Sequence, residues 1–77
     1  MVNYVFSEEL YRPVYGRPRG RNIWFFGDRN QVTVVRAGAE DDPIFYSKAK
    51  KIAQKKLMEE GYPFYRTVYL LPLNCVK

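Results

Sequence analysis

The sequence lacks histidine altogether and contains a single cysteine, Cys75. Without histidine the chain has neither the commonest general base nor a leading metal ligand, and one cysteine cannot build a zinc site. The serine and threonine hydroxyls have no imidazole to activate them, and the glycines do not form the phosphate-binding pattern of nucleotide hydrolases. The sequence therefore predicts a protein that is not an enzyme and that uses no metal or cofactor.

Long apolar runs and paired cysteines are also absent. No stretch approaches the length of a membrane span, which needs about 20 apolar residues, and the N-terminus lacks the basic and apolar regions of a signal peptide. Small secreted domains usually need several disulfides, so a chain with one cysteine is typical of a reducing compartment. We therefore expect a cytoplasmic protein with no membrane partner.

Acidic side chains are fewer than basic ones. The 77 residues include 13 lysines and arginines against 8 aspartates and glutamates, which gives a formal charge of +5. This excess predicts attraction to an anionic partner, either nucleic acid or an acidic protein surface. The hydrophobic fraction of 47% suffices for a single domain over residues 1–77, although its core must be small. A homodimer would enlarge that core, and the sequence leaves it open.

Strand-forming residues occur at three places along the chain. Residues 2–6 predict a short first strand, residues 22–36 predict a β-hairpin whose turn is 27–30, and residues 66–71 predict a central last strand. Trp24 could lie on either face of the hairpin, although its apolar neighbours favour the core. Residues 27–30, which read Gly-Asp-Arg-Asn, supply the turn chemistry of this hairpin.

One amphipathic helix is predicted between the hairpin and the last strand. Its N-cap would be Asp42 or Ser47, and Gly61 would end it. Side chains spaced by three or four residues form an apolar stripe, which consists of Phe45, Ala49, Ile52, Ala53 and Leu57. The sequence therefore predicts an α+β domain of order β-β-β-α-β, in which this helix packs on one face of a small, mostly antiparallel sheet of about four strands.

The most informative stretch for function is residues 11–21, rich in arginine, proline and glycine, which we call the arginine segment. Its candidate binding residues are four arginines and two tyrosines with no acid among them, namely Arg12, Arg17, Arg19, Arg21, Tyr11 and Tyr15. Guanidinium groups pair with phosphates and tyrosine rings stack on bases. Its prolines predict an exposed loop or edge segment, with both tyrosines accessible. The alternative is a solvated loop that only keeps the protein soluble.

Three lysines of the predicted helix, Lys48, Lys51 and Lys55, lie opposite its apolar stripe and extend the set of candidate phosphate contacts. A plain solvated helix face is the alternative. Residues 47–57 resemble the last helix of double-stranded-RNA-binding domains, which packs alanines on a sheet and presents lysines to phosphates. That resemblance implies the same role for these lysines. It covers one helix only, because a strand follows where that family would usually end.

These features predict a small basic domain that binds nucleic acid, DNA or RNA, with weak sequence specificity. The alternative is a protein-interaction module, such as a small regulator or inhibitor of viral or mobile-element origin, that docks through an exposed strand edge or aromatic surface. Exposure of Trp24 and Tyr69 together with an unpaired strand would favour the protein partner. A basic surface joining the arginine segment to the helix would favour nucleic acid.

Overall fold

A mixed sheet of four strands and a second sheet of two strands make up the β-structure. The computed structural model describes residues 4–72. Its strands and helices, in chain order, are β1 (Phe6–Ser7), α1 (Arg12–Tyr15), β2 (Arg21–Asn22), β3 (Trp24–Gly27), β4 (Val34–Ala37), β5 (Ile44–Phe45), α2 (Tyr46–Glu59) and β6 (Val68–Leu71).

The four-stranded sheet has the order β1-β6-β3-β4. β3 and β4 form the predicted antiparallel hairpin, with Phe26 opposite Val35. Its loop covers residues 28–33 and not the predicted turn 27–30, because Gly27 lies in β3 and pairs with Val34. β6 is central, as predicted, because it pairs antiparallel with β3 on one side and parallel with β1 on the other. The predicted α+β fold is therefore confirmed. The parallel pair makes the sheet mixed, while its two other pairings are antiparallel.

The long helix α2 covers one face of this sheet. Ala49, Ala53 and Leu57 are fully buried and belong to the same core as Trp24 and Phe26. The two alanines keep the helix close to the strands, while full burial of a leucine contributes about 1.5–3 kcal/mol. The predicted apolar stripe is thus confirmed at these three positions.

The start of α2 differs from the prediction. Neither Asp42 nor Ser47 is the N-cap, because the helix begins at Tyr46 and its cap position is Phe45, which makes no side-chain cap hydrogen bond. Residues 44–45 instead form β5 and pair with β2. Phe45 is 57% exposed, so its assignment to the apolar stripe is wrong. Burial of Ile44 in the core overrides the local capping signals.

The end of α2 lies where the sequence predicts it. Gly61 follows the helix with a φ of 79°, a left-handed conformation that glycine adopts without steric cost. The N–H of Tyr62 then donates to the carbonyl of Leu57 at 2.9 Å, which closes the last turn.

The first strand begins later than predicted. β1 covers Phe6–Ser7, and residues 2–3 of the predicted strand lie outside the described residues. Tyr4 instead packs against the segment before β6, where its hydroxyl donates to the carbonyl of Tyr62 and its ring stacks on Phe64 at 4.6 Å.

The hairpin loop is held by one buried carboxylate. Asp28 is 8% exposed, and its side chain accepts the N–H groups of Asn30 at 3.2 Å and Thr33 at 2.7 Å. Gly27 has no room for a side chain, because a Cβ there would lie 1.8 Å from the carbonyl oxygen of Thr33. Glycine and aspartate together therefore allow the loop to close tightly on the strand.

The arginine segment contains a helix that its prolines did not suggest. α1 is four residues long, with Pro13 in its first turn, where the missing N–H has no helical partner to lose. The N–H of Gly16 donates to the carbonyl of Arg12 at 2.8 Å and ends it. The prediction of an exposed loop or edge segment is therefore wrong at Arg12–Tyr15, which is helical, whereas Arg21 lies in the exposed edge strand β2.

Candidate nucleic-acid interface

The first part of the arginine segment is anchored on the core by aromatic rings. Tyr11 is half-buried, and its ring lies 6.1 Å from that of Trp24 and 5.0 Å from that of Tyr15. Burial raises the pKa of the Tyr11 phenol, with a smaller contribution from Tyr15. The expectation that Tyr11 is accessible is therefore wrong, because α1 turns it inward. Tyr15 remains 43% exposed, as expected.

Trp24 connects this anchor to the start of α2. It is 1% exposed and lies in the core, the location that its neighbours favour. Its indole N–H donates to the carbonyl of Ile44 at 2.8 Å, and its ring lies 5.2 Å from that of Tyr46. The rings of Tyr15, Tyr11, Trp24 and Tyr46 therefore form a continuous chain of contacts that fixes α1 beside α2.

Tyr46 lies between a carboxylate and a lysine. Burial, followed by the negative charge of Glu8, raises the pKa of its phenol. The ammonium group of Lys50 lies 5.0 Å above the ring, a cation–π geometry. Helical periodicity does not indicate Lys50 as a candidate, because Lys50 lies outside the predicted lysine face opposite the apolar stripe. Its half-buried position follows from this ring contact.

Within residues 4–72, Arg12 is the one arginine of the segment with an acidic partner. Its Nε and Nη2 donate to the Glu8 carboxylate at 3.1 and 2.9 Å, a pair with i,i+4 spacing. Residues 11–21 contain no acid, but Glu8, one helical turn before Arg12, neutralises the charge of Arg12. Arg12 is consequently the weakest of the four arginine candidates for binding phosphate.

The other three arginines of the segment, Arg17, Arg19 and Arg21, are exposed. None of them forms an ion pair with another residue of the described chain. Gly16 and Gly20 flank the first two with φ values of 80° and 79° and open space around them, so the chain can turn there without a side chain in the way. Three guanidinium groups therefore face solvent from a short stretch that is attached at both ends.

The far end of the segment is attached through the small sheet. In the β2–β5 pair Arg21 lies directly opposite Phe45, and Arg21 Nε donates to the carbonyl of Pro43 at 3.3 Å. Directly opposite residues of an antiparallel pair project their side chains on the same face, with Cβ atoms about 5 Å apart. An exposed aromatic ring thus lies next to an exposed guanidinium group. Helical periodicity placed Phe45 in the core, so this neighbour of Arg21 was missed.

The predicted lysines of α2 are all accessible. Lys48, Lys51 and Lys55 are exposed on the face away from the sheet. Lys56 behaves differently, since its ammonium group donates to the backbone carbonyl of Arg36 in β4. Residues 11–21 and 46–58 together contain four arginines and five lysines, which are nine of the 13 basic residues, and no acid. The pairing of β2 with β5 brings the arginine segment to the first turn of α2.

No family model, curated protein or solved structure matches this chain. The likeness of residues 47–57 to double-stranded-RNA-binding domains therefore extends to one helix and assigns no family. Within residues 4–72 no cluster of three or more acidic, histidine or cysteine side chains could hold a metal ion, and no helix is long and apolar enough to cross a membrane. Cys75 lies outside the described residues.

Proposed function

We propose that this protein is a small, non-enzymatic nucleic-acid-binding domain of the cytoplasm. Arg17, Arg19 and Arg21 contact phosphates, and Lys48 and Lys51 extend that contact along α2. Because phosphates carry no sequence information, binding is weakly sequence-specific. The interface is contained in one chain and does not require a homodimer.

The observation that carries this proposal is that the three arginines lack acidic partners while their segment is fixed at both ends. They are exposed and have no acidic partner in residues 4–72. Both ends of their segment are fixed, by the ring contacts of Tyr11 and by the pairing of β2 with β5. Fixing the segment before binding lowers the entropy lost when it meets a ligand.

The acidic turn before β5 sets one boundary of this surface. Glu40, Asp41 and Asp42 are exposed, and the backbones of Ala39 and Asp42 bond to each other there. Their charges would repel phosphates. A bound strand would therefore follow the arginine segment toward α2 and turn away from residues 40–42.

The alternative function, docking on an acidic protein, has less support. Trp24 is buried, and Tyr69 is half-buried with the guanidinium group of Arg29 lying 5.8 Å from its ring centre. β4 has an unpaired edge, as docking on a protein would require, although its Arg36 carbonyl is occupied by Lys56. Two of the three features expected for a protein partner, the exposure of Trp24 and of Tyr69, therefore do not favour docking.

The test is the salt dependence of oligonucleotide binding, measured by fluorescence anisotropy. We expect the double variant Arg17→Ala/Arg19→Ala to lower the slope of log affinity against log salt by about 1.4 for single strands or about 1.8 for duplexes, because two phosphate contacts are lost. Arg21 is left unchanged, since its guanidinium group also bonds to Pro43.

The matched control is Arg36→Ala/Arg66→Ala, which removes the same charge from two exposed positions elsewhere. It should leave the slope near that of the unchanged protein. Equal slopes for both double variants would show that binding follows net charge alone and would contradict the proposed site. Absence of binding at low salt would contradict the proposed function and direct the search to acidic protein partners.

A further inference from the structure

We propose that the site recognises single-stranded nucleic acid, with unpaired bases stacking on Phe45 and Tyr15 at the two ends of the row of arginines. This inference rests on the proposed function and names its ligand class. In a duplex the faces of the bases are covered by their neighbours, so exposed aromatic rings beside phosphate-binding groups are useful only to an unpaired strand.

Phe45 is the stronger of the two stacking positions. Its ring is 57% exposed although both of its neighbours, Ile44 and Tyr46, are packed against the core. Its backbone is fixed by pairing with Arg21 on one side and by the start of α2 on the other. A ring held in this way loses little freedom on binding, and Arg21 lies where the phosphate next to a stacked base would need a cation.

Tyr15 occupies the opposite end of the segment. It is 43% exposed, and its inner side contacts Tyr11 at a ring distance of 5.0 Å. Tyr11 in turn contacts the buried Trp24 at 6.1 Å. The exposed ring is therefore supported from below by two rings of the core, so it presents a surface whose orientation is already set.

The spacing of these groups suits a short stretch of one strand. Tyr15 and Arg21 are six positions apart, so the segment between them spans at most about 22 Å, and Arg17 and Arg19 lie between its ends. Single-strand sites of other small domains accommodate from about 4 nucleotides upward. The order of groups across the site is Tyr15, the three arginines and then Phe45, which lies opposite Arg21. That order matches a strand whose phosphates pair with the arginines between two stacked bases.

The experiment measures binding of labelled oligothymidylate and oligouridylate of about 16 nucleotides and of a mixed-sequence duplex of equal length, all at the same low salt. We expect either single strand to bind more tightly than the duplex. Phe45→Ala should weaken single-strand binding by about 5- to 150-fold, the range for loss of one stacked base, and should leave duplex binding nearly unchanged. Tyr15→Ala should act in the same direction.

Two further variants test whether weaker binding comes from loss of the stacking ring or from loss of folding. Phe45→Trp keeps a stacking ring and should bind single strands at least as well as the unchanged protein. Tyr65→Ala removes a ring that is 86% exposed but lies beside Glu60 and Gly61, at the other end of a helix about 20 Å long. It should have no effect on binding.

The outcomes separate this inference from the proposed function. Arginine-dependent binding in which the duplex binds as well as the single strands, or in which Phe45→Ala and Tyr65→Ala behave alike, would overturn the single-strand inference alone. If no oligonucleotide binds, both fail. A preference for single strands that depends on Phe45 and is kept by Phe45→Trp supports both.

Discussion

At the scale of single residues, two opposing influences act on the pKa of the Asp28 carboxyl group. Burial, the larger single influence, favours the neutral form and acts to raise its pKa, whereas the surrounding backbone N–H groups, Thr33 and Asn30 first among them, favour the charged form. The hydrogen bonds together outweigh burial, so the pKa of Asp28 lies below its usual range. The charged form is therefore the one that closes the hairpin loop.

This predicts an acid-sensitive contribution to folding. Because the pKa of Asp28 is lower in the folded protein than in the unfolded chain, its stabilising effect is complete above about pH 4, near the unfolded pKa, and is lost as the pH falls through the folded pKa. Asp28→Asn should lower the free energy of unfolding at neutral pH and flatten its decline in acid. Urea unfolding between neutral and acidic pH measures both effects.

The exposed Glu40→Gln variant is the control for that measurement, because it removes a carboxylate without removing a buried partner. It should keep the acid-dependent decline of the unchanged protein. An equal decline in the Asp28→Asn variant would contradict the role assigned to Asp28.

Two predictions about single residues, Phe45 and Tyr11, were wrong. The spacing of Phe45 fits the helical stripe, yet the helix begins one residue later and the ring points to solvent. Tyr11 lies among prolines and glycines, which predicts exposure, and it is half-buried because a four-residue helix turns it toward Trp24. Both errors have one cause: short elements are fixed by distant contacts that local spacing does not contain.

At the scale of elements, Lys56 links α2 to the edge of the sheet. β4 is an edge strand, and such strands expose backbone groups that can pair with another chain. The ammonium group of Lys56 occupies the carbonyl of Arg36, and a lysine at a strand edge also discourages pairing by its charge. The helix thus covers the core and limits access to one edge of the sheet.

We therefore expect Lys56→Met to increase self-association. The change frees the Arg36 carbonyl and removes the charge beside the strand, so a second β4 can approach. Sedimentation velocity at increasing protein concentration measures the effect. Lys55→Met is the matched control, because Lys55 is exposed and is not bonded to the sheet. If both variants self-associate to the same extent, Lys56 does not protect this edge.

Elements with strong local signals were predicted well. The hairpin follows from its apolar strands, although its loop is longer than the predicted turn, and the helix follows from Ala49, Ala53 and Leu57 with Gly61 after its end. β2 and β5, each two residues long, were not predicted. Their pairing joins positions more than 20 residues apart, and a two-residue strand has no alternation to detect.

At the scale of the whole molecule, charge is distributed unevenly. Nine of the 13 basic residues lie in residues 11–21 and 46–58, whereas the 8 acids all lie outside these ranges. The like charges of these two ranges repel one another in the folded state, and the distances between them are larger in the unfolded chain. The free protein therefore contains an unfavourable interaction that a bound polyanion would relieve.

This predicts that moderate salt stabilises the unbound protein. Raising the ionic strength from a low value to about 0.15 M shortens the screening length to about 8 Å and weakens repulsion among the cations. The thermal midpoint should rise, and it should rise less for Arg17→Ala/Arg19→Ala than for Arg36→Ala/Arg66→Ala. Differential scanning calorimetry measures the midpoints. If salt raises the thermal midpoint equally in the two variants, the charge repulsion does not come mainly from the arginine segment.

The chain of ring contacts beneath the arginines has an optical consequence. Trp24 is the single tryptophan of the protein, and its indole contacts both Tyr11 of the arginine segment and Tyr46 of α2. Its emission therefore comes from one dry location directly below the proposed interface, free of signals from other indoles. Any ligand that changes the packing of α1 against Trp24 would change the wavelength or lifetime of that emission. The protein therefore contains its own fluorescent reporter.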